Sequence, residues 1–152
     1  MADDKHLLTD IRIELKQNEL RPVYAVAVDR RRVANQPPRD DLTTIHGRDN
    51  LGQAVIMRLL TPRGELTELG HPEYGSRLHE IIGQQNTETI RNLARLFILE
   101  SLQREPRIEE VVEATITPAD IQRDLVSVLL RVKPVASTET ITIGPFTLQL
   151  NQ

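Results

Sequence analysis

Between positions 59 and 82 the chain reads LLTPRGELTELGHPEYGSRLHEII. Pro62 and Pro72 have no backbone N–H to give to a helix or a ladder, and glycines at 64, 70 and 75 relax the backbone. No long element can cross this stretch, so the apolar segments on either side must meet at an angle. Thr61-Pro62-Arg63-Gly64 suits a type I turn, with Pro second and Gly fourth. ELTEL (65–69) reads as a short extended piece and GHPEYG (70–75) as a second turn. Ser76 can cap a short helix carrying Leu78, Ile81 and Ile82 on one side, with Gly83 at its end.

Helices are expected on both sides of this corner. Residues 49–61 place Leu51, Val55, Ile56, Leu59 and Leu60 on a helical stripe that Pro62 ends. Asp49 or Asn50 can cap it, and Gln53 lies where a capping box would want it. The second helix spans about 87–104, with Asn86 as cap and Glu88 at the positive end of the dipole. Its stripe is Ile90, Leu93, Ala94, Phe97 and Ile98. Leu96, Leu99 and Leu102 widen it, which predicts cover on more than one side. Pro106 stops it.

Strand patterns follow. In IEEVVEATIT (108–117), Ile108, Val112, Ala114 and Ile116 fall on one face and Glu109, Glu113 and Thr115 on the other, with Glu110 out of step. DLVSVLLRV (124–132) alternates Val126, Val128, Leu130 and Val132 with Leu125, Ser127 and Leu129, and reads as the central strand. TITIGPFTLQL (140–150) carries Pro145, which confines it to an edge or a bulge. Toward the N-terminus, DIRIEL (10–15) and RPVYAVAVD (21–29) read as strands. RRRVANQPPRDD (30–41) reads as a poorly buried linker or arm, its arginines a solvated run. The expected fold class is α+β: a small, mainly antiparallel sheet with helices on one face and exposed edge strands. Residues 1–45 form an N-terminal extension and 46–152 the α+β domain.

The 152 residues suit a single core, and aromatics are only 3% of them, so that core must be aliphatic. Few aromatics and a net charge of −3 argue against a base-stacking or electrostatic nucleic-acid surface. The absence of cysteine excludes disulfides and thiolate chemistry and fits a reducing compartment. MADDKHLLTD is acidic and unlike a secretory leader, and no run of about 18 apolar residues predicts membrane insertion.

Side-chain chemistry offers little. His6, His46, His71 and His79 show no metal-ligand spacing, although His71, Glu73 and His79 share one turn-rich region. GRDNLGQA (47–54) has two glycines before a helix, but Gln53 and Ala54 stand where a phosphate loop needs Lys and Ser or Thr. Glu100, Glu105 and Glu109 are the acids nearest one another in sequence, without a spacing that marks a glycosidase pair. No catalytic, metal or cofactor residue is assigned.

DNLGQAVIMRLLTPRGELTELGHPEYGSRLHEIIG (49–83), a long helix, then REPRIEEV (104–111) resembles the small baseplate-wedge, sheath-initiating family of contractile phage tails and related injection machines, type VI secretion baseplates included. The match spans about residues 41–133. Its specific parts are the LLTPRGEL turn, the PEYGSRL turn and Glu105-Pro106-Arg107. The resemblance implies a structural protein, six copies per baseplate, assembled in the cytoplasm, with wedge proteins and sheath subunits as partners. It places Glu105, Pro106 and Arg107 against the wedge core, where the residues alone also allow a local cap, with Arg107 bonding the last helix carbonyls or Glu105. It also makes the C-terminal strand a socket for sheath strands, through Thr140, Ile141, Thr142, Ile143, Phe146, Thr147, Leu148, Gln149 and Leu150. The near-neutral run 140–150 suits that role, since such an edge is a hazard unless paired, and suits equally well a strand that only closes the domain's own sheet. The N-terminal arm would reach a tube or hub protein. Some members carry a lysozyme-like label, so a peptidoglycan-cleaving enzyme is the alternative, and a generic interaction module a second one.

Overall fold

The computed structural model describes residues 7–15, 24–31, 34–37, 39–119 and 125–150. Along these run β1 (Thr9–Ile11), β2 (Ile13–Leu15), β3 (Tyr24–Val26), β4 (Val28–Arg31), β5 (Arg39–Leu42), β6 (Thr44–His46), α1 (Gly47–Leu60), α2 (Glu88–Leu102), β7 (Ile108–Pro118), β8 (Leu125–Pro134) and β9 (Ile141–Gln149). Two 3-10 turns, Thr67–Leu69 and Leu78–Ile81, lie between the helices. All strand pairs are antiparallel. The architecture is the α+β arrangement expected.

The main sheet has the order β7-β8-β9. Val126, Val128, Leu130 and Val132 on the inner face of β8 are each 0% exposed. Against that face pack Leu51, Val55 and Leu59 of α1 and Ala94, Phe97, Ile98 and Leu102 of α2. The opposite face carries half-exposed Leu125, Ser127 and Leu129 and exposed Arg131. One buried face and one wet face produce the strict alternation of the sequence.

β7 departs from its expected alternation for a definite reason. Its register against β8 slips twice, between Ile108 and Glu110 and between Val111 and Glu113. Each slip inserts one residue, Glu109 and then Val112, and so reverses the parity of all that follows. The residues packed inward are therefore Ile108, Val111, Ala114 and Ile116. Val112, expected inside, is 45% exposed. Leu96 of α2 is likewise 63% exposed, so the helix is not covered on that side, while Leu102 is fully buried.

The corner also differs in detail. The hydrogen-bonded turn lies one residue further on than expected: Glu65 N–H donates to Pro62 C=O, and Gly64 at φ +88° takes the third position. ELTEL is not extended; Thr67–Leu69 winds into a 3-10 turn closed by Gly70. Tyr74 N–H bonded to His71 C=O closes the expected second turn. Gly75 is needed at its place, since a Cβ there would meet Thr61 O at 2.4 Å. Ser76 then pairs with Thr61 and Arg63 through backbone bonds of 2.8 Å, and its hydroxyl donates to Leu59 C=O.

The N-terminal segments form a three-way β junction. The run 9–15 pairs with 44–46 through β1 and with 24–26 through β2, while β4 pairs with β5. At the node, Arg12 N–H donates to Thr43 C=O, Thr43 N–H to Ala27 C=O, and Ala27 N–H to Arg12 C=O, at 2.8, 2.9 and 3.0 Å. Much of the expected linker 30–41 is thus a hairpin, with residues 34–37 exposed between its strands. The first three residues of the expected strand 21–29 lie outside the described residues, as does His6.

Two amides of α1 fasten this junction. Neither caps the helix as expected; His46 holds the N-cap position, without a side-chain bond. Asn50 Nδ2 donates to Leu7 C=O at 2.9 Å. Gln53 accepts from Ile13 N–H at 2.8 Å and donates to Ile11 C=O at 2.9 Å, in the manner of a strand partner. Each bond is worth about 1 kcal/mol net. Gln53→Ala should cost about 1–2 kcal/mol and speed tryptic cutting between residues 30 and 39. Limited digestion followed by mass spectrometry checks this, and an unchanged cutting rate would refute it.

Candidate functional site

Two places in the described structure concentrate unusual physics: the corner after α2, and the free edge of β9.

At the corner, α2 ends on Gln103, and Glu105 N–H turns back to Leu102 C=O. Pro106 prevents continuation. This geometry drives the Glu105 side chain inward, where it is 5% exposed. A buried carboxylate needs cationic partners. Arg107 Nε donates to Glu105 Oε1 at 2.7 Å, and the Arg107 N–H reaches the same oxygen at 3.4 Å. Arg58 Nε donates to Oε2 at 3.3 Å from a side chain that is 9% exposed. The Arg58 guanidinium also lies over the Tyr74 ring, 4.5 Å from its centre. Around this core Arg104 pairs with Glu73, and Lys133 with Glu109 at 3.1 Å. Pro106 is exposed and Arg107 half-buried.

Burial pushes the Glu105 carboxyl up, but the Arg107 hydrogen bond and the charges of Arg107 and Arg58 outweigh it. The carboxyl is held below the usual carboxylate range. Burial raises the Tyr74 hydroxyl despite the Arg58 charge beside it.

Of the three expected residues, then, Glu105 serves the interior, Pro106 is exposed, and half-buried Arg107 stands between them with its Nε on Glu105. Arg58 and Tyr74 complete the cluster and were not anticipated. Arg58 left a trace in the sequence, an arginine between Val55 and Leu59 on the buried stripe of α1. Tyr74 left none, since its turn position does not reveal what it faces.

The remaining acids and histidines are dispersed. Glu100 accepts from Arg63 at 2.7 Å and lies 3.8 Å from Arg77. His46 precedes α1, His71 begins a turn, and His79 sits 3.2 Å from Ser76 C=O. Among the described residues no three His, Asp or Glu side chains converge on a point where a metal could sit. Nor, among the described residues, is any helix long and apolar enough to cross a membrane.

The second place is β9. One edge pairs with β8 from Gln149↔Leu125 to Ile141↔Val132. The other edge has no strand neighbour among the described residues; its terminal carbonyl, at Leu150, accepts from Gly83 N–H. Ile141, Ile143, Leu148 and Leu150 point into the core, whereas Thr140, Thr142 and Thr147 are exposed and Phe146 and Gln149 half-exposed. Between Val128↔Phe146 and Leu130↔Ile143 the strand bulges at Gly144-Pro145, whose peptide bond is cis. A Cβ at position 144 would lie 2.7 Å from Val128 O. Proline thus occupies both an edge and a bulge.

Losing the Glu105 charge should leave Arg58 and Arg107 unpaired in a half-dry pocket. Glu105→Gln is expected to cost about 3 kcal/mol, read as a lower urea midpoint. The folded carboxyl titrates below the unfolded one, so its contribution is whole above the unfolded value near 4.3. That contribution fades as the pH falls through the folded value. The gap between wild type and variant should therefore narrow at acid pH, in urea titrations from neutral pH downward.

The fold is similar to that of a Geobacter sulfurreducens protein assigned as a tail lysozyme, with a TM-score of 0.58 over 68% of this chain and 91% of the other. Sequence identity between the two is 18%, so the likeness is one of fold. No family model and no curated protein matches the chain.

Proposed function

We propose that this chain is a structural baseplate component of a contractile injection machine or phage tail, joining wedge to first sheath ring by strand addition, without catalysis. The asymmetry of the sheet's two edges carries this reading. The β7 edge bears two bulges and Glu109, Glu110 and Glu113. Charge and bulges are devices that keep an edge from pairing. The β9 edge has no charged residue from 140 to 150 and exposes threonines. The β9 rim is also interrupted, by the bulge at Gly144-Pro145, so it is charge that separates the two: the β7 rim is acidic, and the β9 rim offers uncharged backbone to an incoming strand on either side of its bulge. Several backbone bonds at about 1 kcal/mol each, with pockets fixing register, make a strong link.

The corner suits the wedge contact. Pro106 and the outer part of Arg107 form its surface, and Glu105 with Arg58 holds them in place. The tail protein of similar fold supports the assignment to such a particle. The N-terminal junction, an appendage beyond the match to that family, is the element to reach a tube or hub protein. Glu105 does not favour the lysozyme alternative, because a general acid needs a raised carboxyl and this one is lowered.

Thr142→Lys with Thr147→Lys puts two charges on the open rim at exposed positions. The variant should fold as wild type by circular dichroism and lose recruitment of co-expressed sheath subunits at least tenfold. Undiminished sheath recruitment would sink the strand-addition reading. Clearing of cell-wall suspensions by the wild type, abolished by Glu105→Gln, would overturn the non-catalytic reading.

A further inference from the structure

We propose that the corner binds a carboxylate of the wedge partner end-on, through Nη1 and Nη2 of Arg107. The inference rests on the wedge-contact reading and names the chemical group that the contact takes.

Charge balance points there first. Arg58 and Arg107 share one carboxylate, that of Glu105, which leaves one positive charge in excess. The neighbouring acids do not supply the missing negative charge, since Glu73 is paired with Arg104 and Glu109 with Lys133. The excess sits on a side chain only 20% exposed, where water offsets it less than at an open surface.

Geometry then selects the atoms. Arg107 spends its Nε on Glu105. Its terminal nitrogens make no hydrogen bond among the described residues, and they are not among the buried unsatisfied atoms, so they meet solvent. What remains is the planar end of a guanidinium, whose two parallel N–H groups match the two oxygens of a carboxylate. The fork is also held in advance. Pro106 restricts the preceding backbone, Val135 N–H donates to Arg107 C=O at 3.0 Å, and Glu105 grips the side chain. A fixed donor pair loses little rotamer freedom on binding. A single spare charge suits a carboxylate better than a polyanion, and the chain's net charge of −3 opposes nucleic acid.

The test uses the full chain co-expressed with the wedge and sheath subunits of its own machine. Arg107→Lys supplies an amine, and a water-soluble carbodiimide joins it to a carboxylate in contact. The amide C–N bond forms as the carboxyl C–O bond breaks, and the carbodiimide leaves as its urea with that oxygen. The expected result is an amide between position 107 and a wedge subunit, mapped by mass spectrometry to an Asp or Glu side chain or to a chain terminus. Arg107→Gln should weaken wedge capture about tenfold, and rising salt should weaken the wild-type complex. Coupling of position 107 only to Glu105 within an intact complex overturns the carboxylate inference and leaves wedge attachment standing. Capture insensitive to both Arg107→Gln and salt does the same. Failure of the wild type to capture any wedge subunit overturns both. Should Arg107→Gln not fold, the wild-type salt series decides alone.

Discussion

The inner face of β8 is the constraint on which this molecule depends. With few aromatic residues available, the core has to be filled by branched aliphatic side chains, which pack well only against a regular surface. Val126, Val128, Leu130 and Val132 provide it, all fully buried. Both helices lay their stripes on that row. Because β8 is central, its backbone is satisfied on both sides, and the cost of exposure falls on its neighbours. The two outer strands are left with rims, and they treat them in opposite ways. β7 is bulged twice and acidic, whereas β9, bulged once, is uncharged and threonine-rich.

A second constraint is the buried Glu105. A carboxylate at 5% exposure costs several kcal/mol unless compensated. Compensation comes from α1 through Arg58 and from the start of β7 through Arg107, so one side chain ties the two helices and the sheet together. Three acids near one another in sequence thereby receive three environments. Glu105 is inside, Glu100 is paired on the flank of α2, and Glu109 is a bulge residue opposite Lys133. Nearness in sequence said nothing of this, because helix, turn and bulge send successive side chains in unrelated directions.

How much was legible varied with the range of the interactions involved. The stripes of both helices, the alternation of β8 and the confinement of Pro145 follow from local periodicity, and the structure reproduces them. The inward face of β7 was misread at Val112, since a bulge is fixed by pairing with β8 and not by β7 itself. Asn50 and Gln53 were expected to cap α1, as local chemistry allows. They bond instead to Leu7, Ile11 and Ile13, some forty residues earlier, because tertiary packing brings the backbone groups of that segment within their reach. ELTEL was read as extended, and it coils because Gly64 and Gly70 close turns at both of its ends.

By itself, the sequence determined the aliphatic core, the corner between the helices, the order of elements from α1 onward and the α+β class. Those depend on side-chain period and on the backbone limits of proline and glycine, which act within a few residues. Tertiary structure alone decided that Glu105 turns inward with Arg107 bonded to it, that Arg58 and Tyr74 join them, and that the runs 9–15, 24–31 and 39–46 meet in a three-way junction. It alone also left β9 without a second strand neighbour among the described residues. Such outcomes depend on which distant groups meet, and on which backbone atoms remain unpaired once the core has closed.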